Sequence, residues 1–438
     1  MKKIFTLLLC IVAMYQVHAQ YTAIPDATFE QFLIDQTIDS EGILDGQVLT
    51  SDIAIVNSLD VSYSEISDMT GIRDFTALTS LTSISNTNLI HLDVSGLTAL
   101  QDLNLALNYT LETLNVTGCT GLVDLDIKIS GLHSLDLSTC SSLTTIDMYK
   151  SFLPHLDVSG LTSLVSIRAD ESYLATLNVT GCTSLSSINV NETSIHNLDL
   201  SNNPALINFG VFDSALRDIN FTNCNNLESI FFNWNSNLNS INLANCNQIK
   251  SIFSDHYFTI TNFDTSSLVD IESFFLEGIS INNIDLSNST NLTAVTLNDC
   301  SIGSLDLRNG NNTNITSFSM YSVDLDCISV DDEAYSTANW TNISLGSGTI
   351  FSNDCQTLST PENQLNSISI YPNPVVNNLN IALQSNQILE NVTIINLQGK
   401  KVLTSASSTI DVSHLGAGYY FAMINTNRGK SIKKLIKK

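Results

Sequence analysis

Three phenylalanines recur at a constant interval in this 438-residue chain and have the spacing of a binding surface. Phe231, Phe253 and Phe275 are 22 residues apart, and each follows an apolar residue. Successive side chains of a strand point to opposite faces, so the three rings are predicted to be exposed if the preceding residues are buried. A row of exposed rings is typical of an interaction site.

A register shift of one residue is the alternative, because it would turn these rings into the core. Against it, Ile230, Ile252 and Phe274 already have the phase of core residues. Other outward residues of this strand vary from one repeat to the next, and no scaffold requirement explains the variety. The predicted binding site therefore also includes five of these outward residues: Phe212, Tyr149, Arg168, Asp170 and Asn189.

Aspartate or asparagine follows a regular leucine in repeat after repeat, for example Asp136, Asp157 and Asn178. A row of calcium sites is one interpretation, although asparagine in several repeats lowers the charge that such a row requires. The uniformity favours a structural ladder. Residues 41–52 have a partial EF-hand spacing, but Ile43 occupies a ligand position, so a capping loop is expected.

Seven of the nine cysteines fall into two sets. Five lie at one repeat position and are predicted to be buried thiols, since the chain has no CxxC pair for zinc: Cys119, Cys140, Cys182, Cys224 and Cys246. Cys327 and Cys355 flank a closing segment and are predicted to form a disulfide, because an exported protein meets oxidising conditions.

No catalytic arrangement is apparent in the sequence. The histidines beside the strands have no matching nucleophile and are predicted to be solvated: His91, His133, His155 and His196. The chain contains no HExxH, GxSxG or phosphate-loop motif. We therefore expect no enzyme activity, no metal and no cofactor.

The elements that position these residues are short strands in a repeat. A leading apolar residue recurs every 20 to 22 residues from Leu92 to Leu325, and each repeat holds two short apolar alternations. A period of 20–29 residues with regular leucines indicates a solenoid. The sequence predicts a mainly β fold, with about 12 parallel turns of 21–22 residues between residues 59 and 326.

The pattern L-x-x-L-x-L-x-x-N occurs intact at Leu100, Leu103, Leu105 and Asn108 and resembles a leucine-rich repeat. The LDVS copies over roughly residues 59–327 are similar to a bacterial subtype found in surface proteins. The resemblance implies that the variable strand lines the concave face, where such proteins usually bind. The asparagine is replaced in other repeats, for example by Ser172, so an irregular asparagine ladder is expected.

The N-terminal residues differ from the repeats. Residues 1–19 have two lysines, an apolar run and small residues before Gln20, as in a signal peptide. The run is too short to span a membrane, and no other stretch qualifies. Residues 20–58 are predicted to form a helical cap, with Asp26 as N-cap and Phe29, Phe32 and Leu33 on one helix face.

Residues 327–355 are predicted to close the far end of the coil, and residues 356–366 form a polar linker. Short strands follow, with the motifs SIYPNPVVNNLNI, INLQGKKVL and IDVSHLGAGYYFAMI. Residues 367–438 thus resemble a type A sorting domain of the type IX secretion system. That implies a small β-sandwich recognised by export machinery, removal after export, and a Bacteroidetes-type source.

Charge is divided unevenly along the chain. Residues 20–355 contain 40 acidic and 7 basic residues, a net charge of −33, whereas residues 356–438 have 3 and 8, a net of +5. The acidic body is expected to repel nucleic acid and anionic lipid. The sequence therefore predicts a secreted or surface adhesion protein that binds a protein partner, with glycan capture by the phenylalanines as the alternative.

Overall fold

The protein is described in a computed structural model for residues 20–323, 325–340, 343–345, 349–355, 368–383, 388–397, 400–426 and 429–438. The predicted signal peptide, residues 1–19, and the predicted linker, residues 356–366, lie outside these ranges. The chain divides into two compact units, one ending at Asn353 and the other beginning at Asp354. Within the described ranges, no helix has both the length and the apolar character of a membrane span.

The first unit is a parallel β-solenoid of about 13 turns, slightly more than the 12 predicted. Each turn begins with a short strand in which one buried aliphatic residue lies between two outward residues. These first strands build a seven-stranded sheet: Ser58–Asp60, Ser80–Thr82, Asp102–Asn104, Asp124–Asp126, Thr145–Asp147, Ser166–Arg168 and Ser187–Asn189. They continue in a ten-stranded sheet with Asn208–Phe212, Ser229–Asn233, Ser251–Ile260, Ser273–Asp285, Ala294–Asn298, Ser317–Val323 and Ile343–Leu345.

The LDVS segments form the second row of strands. Their ladders are shorter and join two or four strands: His91–Asp93 with Thr113–Asn115, His155–Asp157 with Thr176–Asn178, and Asn197–Asp199, Asp218–Asn220, Ser240–Asn242 and Asn262–Phe263 together. At the far end this row merges into the ten-stranded sheet through Ser301–Asp306, Cys327–Ser329 and Ile350–Ser352. All pairings within the solenoid rows are parallel, as the repeat predicts.

Buried side chains form one continuous hydrophobic cluster from Ile24 to Trp340. The five aligned cysteines lie inside it as free thiols, as predicted, and Cys300 is a sixth buried free thiol. Sγ of Cys182 donates to the carbonyl of Val158 in the preceding turn at 3.1 Å. Burial raises the pKa of the Cys182 thiol to about 11, so the thiol stays neutral and unreactive at ordinary pH.

The aspartate and asparagine row caps the LDVS strands. Oδ1 of Asp136 accepts the amide of Ser138 at 2.9 Å, and Oδ1 of Asn178 accepts the amide of Thr180 at 3.1 Å. Hydrogen bonds from Ser138 lower the pKa of Asp136. Asparagine and aspartate serve equally because the turn needs only one side-chain oxygen. This geometry agrees with the structural ladder, and the described residues hold no cluster of three or more His, Cys, Asp or Glu side chains arranged for a metal.

A helix covers the N-terminal end of the coil. It spans Ala27–Asp35, and Oδ1 of Asp26 accepts the amides of Thr28 and Phe29 as the N-cap. Phe29 and Leu33 are fully buried in the solenoid cluster, as the capping prediction requires. The strand Tyr21–Ala23 pairs antiparallel with Gln47–Leu49, and a short helix, Thr50–Ile53, follows.

The loop with the EF-hand spacing is held by a carboxylate of the protein itself. Glu30 is almost completely buried, and its Oε1 accepts the amides of Asp45, Gly46 and Gln47 at 2.8, 2.8 and 3.2 Å. Three backbone donors thus converge on one oxygen, the reverse of a calcium loop, in which oxygens converge on a cation. The capping-loop interpretation fits this arrangement.

Aromatic packing closes the far end. Trp340 follows the helix Glu333–Asn339, is buried, and stacks on Phe318 with ring centres 4.5 Å apart. Phe351 packs edge-on against Trp340 at 5.5 Å, so two aromatic residues of the predicted closing segment, residues 327–355, pack at this end of the core. Cys327 and Cys355 are disulfide-bonded. Two 3₁₀ turns, Ile72–Asp74 and Asn312–Asn314, complete the helical elements of the described ranges.

The second unit consists of two small antiparallel sheets around a separate core. One holds Ser369–Tyr371, Asn378–Ala382 and Thr409–Asp411; the other holds Lys401–Ser405, Leu389–Asn396, Gly418–Thr426 and Gly429–Lys437. Val392, Ile394 and Ile424 are among its fully buried residues. This is consistent with the predicted β-sandwich, and the basic C-terminal residues form its last strand.

We predict that Glu30→Ala destabilises the solenoid by about 3 kcal/mol, because it leaves three loop amides without their charged acceptor. Urea unfolding followed by circular dichroism measures the change. Glu30→Gln keeps one acceptor oxygen and should lose less than half of that. Glu41→Ala, an exposed acidic residue of the same loop, is the control and should change stability by less than about 0.5 kcal/mol. Equal stability of wild type and Glu30→Ala would show that the hydrogen bonds to Glu30 contribute nothing to the stability of the solenoid.

The variable face as candidate binding site

The predicted phenylalanines lie on the outer side of the first row of strands, here called the variable face. Phe231, Phe253 and Phe275 are paired in register on neighbouring parallel strands. Phe231 is 41% exposed, and the other two rings are partly buried. The residue before each ring is fully buried, so the structure has the register in which the rings point outward: Ile230, Ile252 and Phe274.

The three rings form a continuous row of contacts, in which one pair is stacked and the other is tilted. Phe253 and Phe275 lie nearly parallel, with centres 4.3 Å apart and planes inclined by 16°. Phe231 is tilted by 45° against Phe253, with centres 6.4 Å apart. Mutual contact explains why Phe253 and Phe275 are less exposed than Phe231. The ladder sets this contact, because adjacent strands are about 4.8 Å apart and aligned rings must touch.

A second aromatic row runs beside the first. Phe212, 43% exposed, lies 6.1 Å from Trp234, and Trp234 stacks on His256 at 4.6 Å with planes 17° apart. Trp234 is half exposed. Together the two rows make one patch, here called the aromatic surface, which consists of Phe212, Phe231, Trp234, Phe253, His256 and Phe275.

Sequence reasoning missed Trp234 and His256 because neither follows simple strand alternation. Trp234 has a left-handed backbone with φ of 61°, directly after its strand. His256 lies where the pairing of its strand shifts register, between Asp255 and Phe258. Their common interval of 22 residues was the available signal.

The polar residues of the predicted site lie on the turns that precede the aromatic surface. The Arg168 guanidinium packs over the Tyr149 ring at 4.6 Å and pairs with Asp147 and Asp170 at 3.4 and 3.1 Å. Asp170 is only 8% exposed, so it orients Arg168 and offers little surface of its own. Asn189 is partly buried and lies between this group and the aromatic surface.

Most basic side chains of the first unit are already neutralised. Six of the seven within residues 20–355 are in ion pairs with acidic side chains of the same chain: Arg73, Lys128, Lys150, Arg168, Lys250 and Arg308. These ion pairs engage nearly all the basic side chains. Most of the 40 acidic residues therefore have no basic neighbour to offset their negative charge. The field around the aromatic surface is therefore set by excess negative charge.

Two family models match parts of the chain. Residues 369–438 match the secretion system C-terminal sorting domain, and residues 50–151 match the leucine-rich-repeat domain of the endo-beta-N-acetylglucosaminidase EndoS. A comparison with curated proteins found no match.

Solved structures of low similarity were also found. The functional domain of InlJ from Listeria monocytogenes, which includes a cysteine ladder, is 18% identical over 96% of this chain and 99% of that chain, with a TM-score of 0.33. The internalin InlF from the same organism is 16% identical over 76% and 96%, with a TM-score of 0.35. The LRIM1/APL1C complex is 15% identical over 71% and 62%, with a TM-score of 0.39.

The fold and the family matches define a leucine-rich-repeat solenoid followed by an export signal. The chain thus carries a sorting domain of the type IX secretion system and is a secreted or cell-surface leucine-rich-repeat protein.

We predict that exchanging Phe231, Phe253 and Phe275 together for alanine lowers stability only modestly, by about 0.5–1.5 kcal/mol per stacked pair lost. Phe274→Ala removes a fully buried ring and should cost about 3–5 kcal/mol by itself. Urea unfolding of both variants makes the comparison. If the triple variant were the less stable of the two, these rings would be part of the core.

Proposed function

We propose that this exported protein uses the variable face to hold a protein partner whose contact surface is basic and apolar. The observation that carries the proposal is the aromatic surface, in which six rings lie against one another in two rows on one side of a rigid ladder. Rigid aromatic side chains are enriched among the residues that dominate binding energy. Their order is already fixed in the free protein, which lowers the entropy lost on binding.

The charge pattern supports a basic partner. The cations of the solenoid are mostly paired internally, so its acidic groups are available to attract an opposite charge. Rim charges of this kind chiefly accelerate association and make it depend on salt, whereas the rings supply the lasting contact. Association with this face should therefore be fast at low ionic strength. At high ionic strength the complex should form more slowly but still persist.

The proposed arrangement of the mature protein follows the sequence divisions. Residues 1–19 direct export and are removed, residues 20–58 cap a coil that extends to residue 326, and residues 327–355 close it. After the linker, residues 356–366, the sorting domain of residues 367–438 is recognised by the type IX machinery and then removed. The remaining solenoid acts at the cell surface or outside the cell, without enzymatic activity.

Panning a random peptide library against the full chain tests the proposal. We expect enrichment of peptides that combine arginine or lysine with apolar side chains, and at least about tenfold weaker binding of them to the Phe231, Phe253 and Phe275 triple alanine variant. Raising the salt concentration should lower the association rate more than it raises the dissociation rate.

A matched control comes from another exposed aromatic pair. Phe152 and Tyr173 stack at 5.0 Å, and Tyr173 is 62% exposed, yet neither belongs to the aromatic surface. The Phe152→Ala and Tyr173→Ala double variant should bind the selected peptides like wild type. Equal losses in the two variants, or selection of acidic peptides, would contradict the proposal.

Glycan capture is the second candidate, and Trp234 favours it. Sugars stack on exposed rings, and the half-exposed Trp234 offers a larger face than the phenylalanines do. A glycan array probed with the full chain and with Trp234→Ala tests this function. A glycan that binds wild type and loses binding in Trp234→Ala would move the second candidate ahead of the first.

We predict that deletion of residues 367–438 leaves the protein in the periplasm of the host that makes it, because the export machinery then has no sorting domain to recognise. Fractionation and immunoblotting of the envelope and the medium measure this. The full chain serves as the reference. Surface or medium localisation of the truncated protein would show that export does not need this domain.

A further inference from the structure

A depression interrupts the variable face at Gly210. It lies between the cluster of Tyr149, Arg168 and Asp170 and the aromatic surface. Its volume is about 620 Å³, within the range of small-ligand sites. Asn189 and Asn191 line one side, and Phe212 and Phe231 line the other. The depression therefore has one amide wall and one aromatic wall.

The depression coincides with a division in the strand ladder. Ser187–Asn189 is the last strand of the seven-stranded sheet, and Asn208–Phe212 is the first of the ten-stranded sheet. After these strands a backbone hydrogen bond still joins the two turns, because the amide of Glu192 donates to the carbonyl of Phe212 at 3.1 Å. The Asn191 side chain adds a second link, since its Oδ1 accepts the amide of Phe212 at 2.7 Å.

Gly210 occupies a ring position of the stack but carries no side chain. It pairs in register with Phe231, which pairs with Phe253 and then with Phe275. A ring placed over Gly210 would lie about one strand spacing, ~4.8 Å, from Phe231. That spacing is close to the 4.3 Å between the stacked rings of Phe253 and Phe275.

We propose that the depression over Gly210 receives an aromatic side chain of the protein partner, which continues the stack of Phe231, Phe253 and Phe275 by one ring. This inference rests on the proposed function and names the chemistry of its contact. The partner's ring would lie against Phe231, which is 41% exposed. The polar edge of the partner's ring would face the side-chain amide of Asn189.

On the Asn189 and Asn191 side of the depression, the hydrogen bonds leave few polar atoms free for a saccharide. Nδ2 of Asn191 donates to Asp170 at 3.2 Å while its Oδ1 accepts from Phe212, so both ends of that amide are engaged. Oδ1 of Asn189 accepts from the amide of Asn191 at 3.4 Å. A sugar needs several free polar groups around its hydroxyls, whereas an aromatic side chain needs mainly the face of Phe231.

Gly210 can be replaced without strain, which makes the inference testable. A Cβ added there would meet only Cβ of Phe231, at 3.9 Å, an ordinary contact, and the backbone of Gly210 is not left-handed. Gly210→Phe should therefore fold like wild type and fill the depression with a ring of its own. Gly210→Ala adds only one carbon and serves as the graded variant.

The experiment uses saturation-transfer NMR with N-acetyl-tyrosine amide as the probe and the full chain as receptor. N-acetyl-leucine amide and methyl β-glucoside are the comparators. We expect the tyrosine probe to bind more tightly than both, with contact through its ring. Binding should weaken about two- to tenfold in Gly210→Phe and in Phe231→Ala, and less in Gly210→Ala. Tyr173→Ala removes an exposed ring outside the aromatic surface and should bind the probe like wild type.

Thermal melting of each variant accompanies the titration. Undiminished probe binding to folded Gly210→Phe would overturn the inference, as would equal binding of the leucine amide or preference for the glucoside. If Gly210→Phe did not fold, the same judgement would fall to Gly210→Ala and Phe231→Ala. The proposed function is judged separately, since loss of selected peptides in the triple alanine variant with no effect of Gly210→Phe would retain the binding face and reject the ring site.

Discussion

The parallel backbone ladder of the solenoid is the constraint on which the rest of the structure depends. Adjacent turns are about 4.8 Å apart, so equivalent residues of successive repeats must lie in columns and touch. Inside, this produces continuous columns of buried apolar side chains, mainly leucine and isoleucine. No single turn can bury its own aliphatic side chains, so stability arises from stacking and both ends must be covered. The Ala27–Asp35 helix and the Trp340 cluster provide those covers.

The same spacing makes repeated outward residues interact. Where the repeated residue is aspartate or asparagine, each side chain turns back to cap its own strand, as Asp136 and Asn178 do. Where it is phenylalanine, the rings cannot avoid one another and stack into a surface. A face of binding residues thus requires only outward substitutions, because the core columns already hold the backbone in place. The cysteines of the buried column remain neutral thiols, because burial disfavours the charged thiolate.

Interruptions of the ladder carry as much information as its regularity. The first row of strands is divided between Ser187–Asn189 and Asn208–Phe212, and Gly210 lies beside that division. Trp234 lies just after the end of its strand, and His256 lies where its strand shifts register. The Trp234 ring contacts Phe212 on one side and stacks on His256 on the other. The aromatic surface is therefore assembled from a regular row that the period specifies and an irregular row that local backbone geometry specifies.

The sequence by itself determined the mainly β solenoid, its period, the buried phase of Ile230 and Phe274 and the outward phase of Phe231, because alternation and repeat spacing act through near neighbours. It also determined the helix that begins after Asp26 and the sorting domain, each from local signals. Only the tertiary structure decided how near the rings approach, that Asp170 is buried beside Arg168, that Glu30 holds the loop from Asp45 to Gln47, and that the ladder divides at Gly210. Apart from the Arg168–Asp170 pair, these features depend on contacts between residues that are about 15 to 22 positions apart in the chain. A period read along the sequence specifies which positions align but not the distances and hydrogen bonds formed when turns pack.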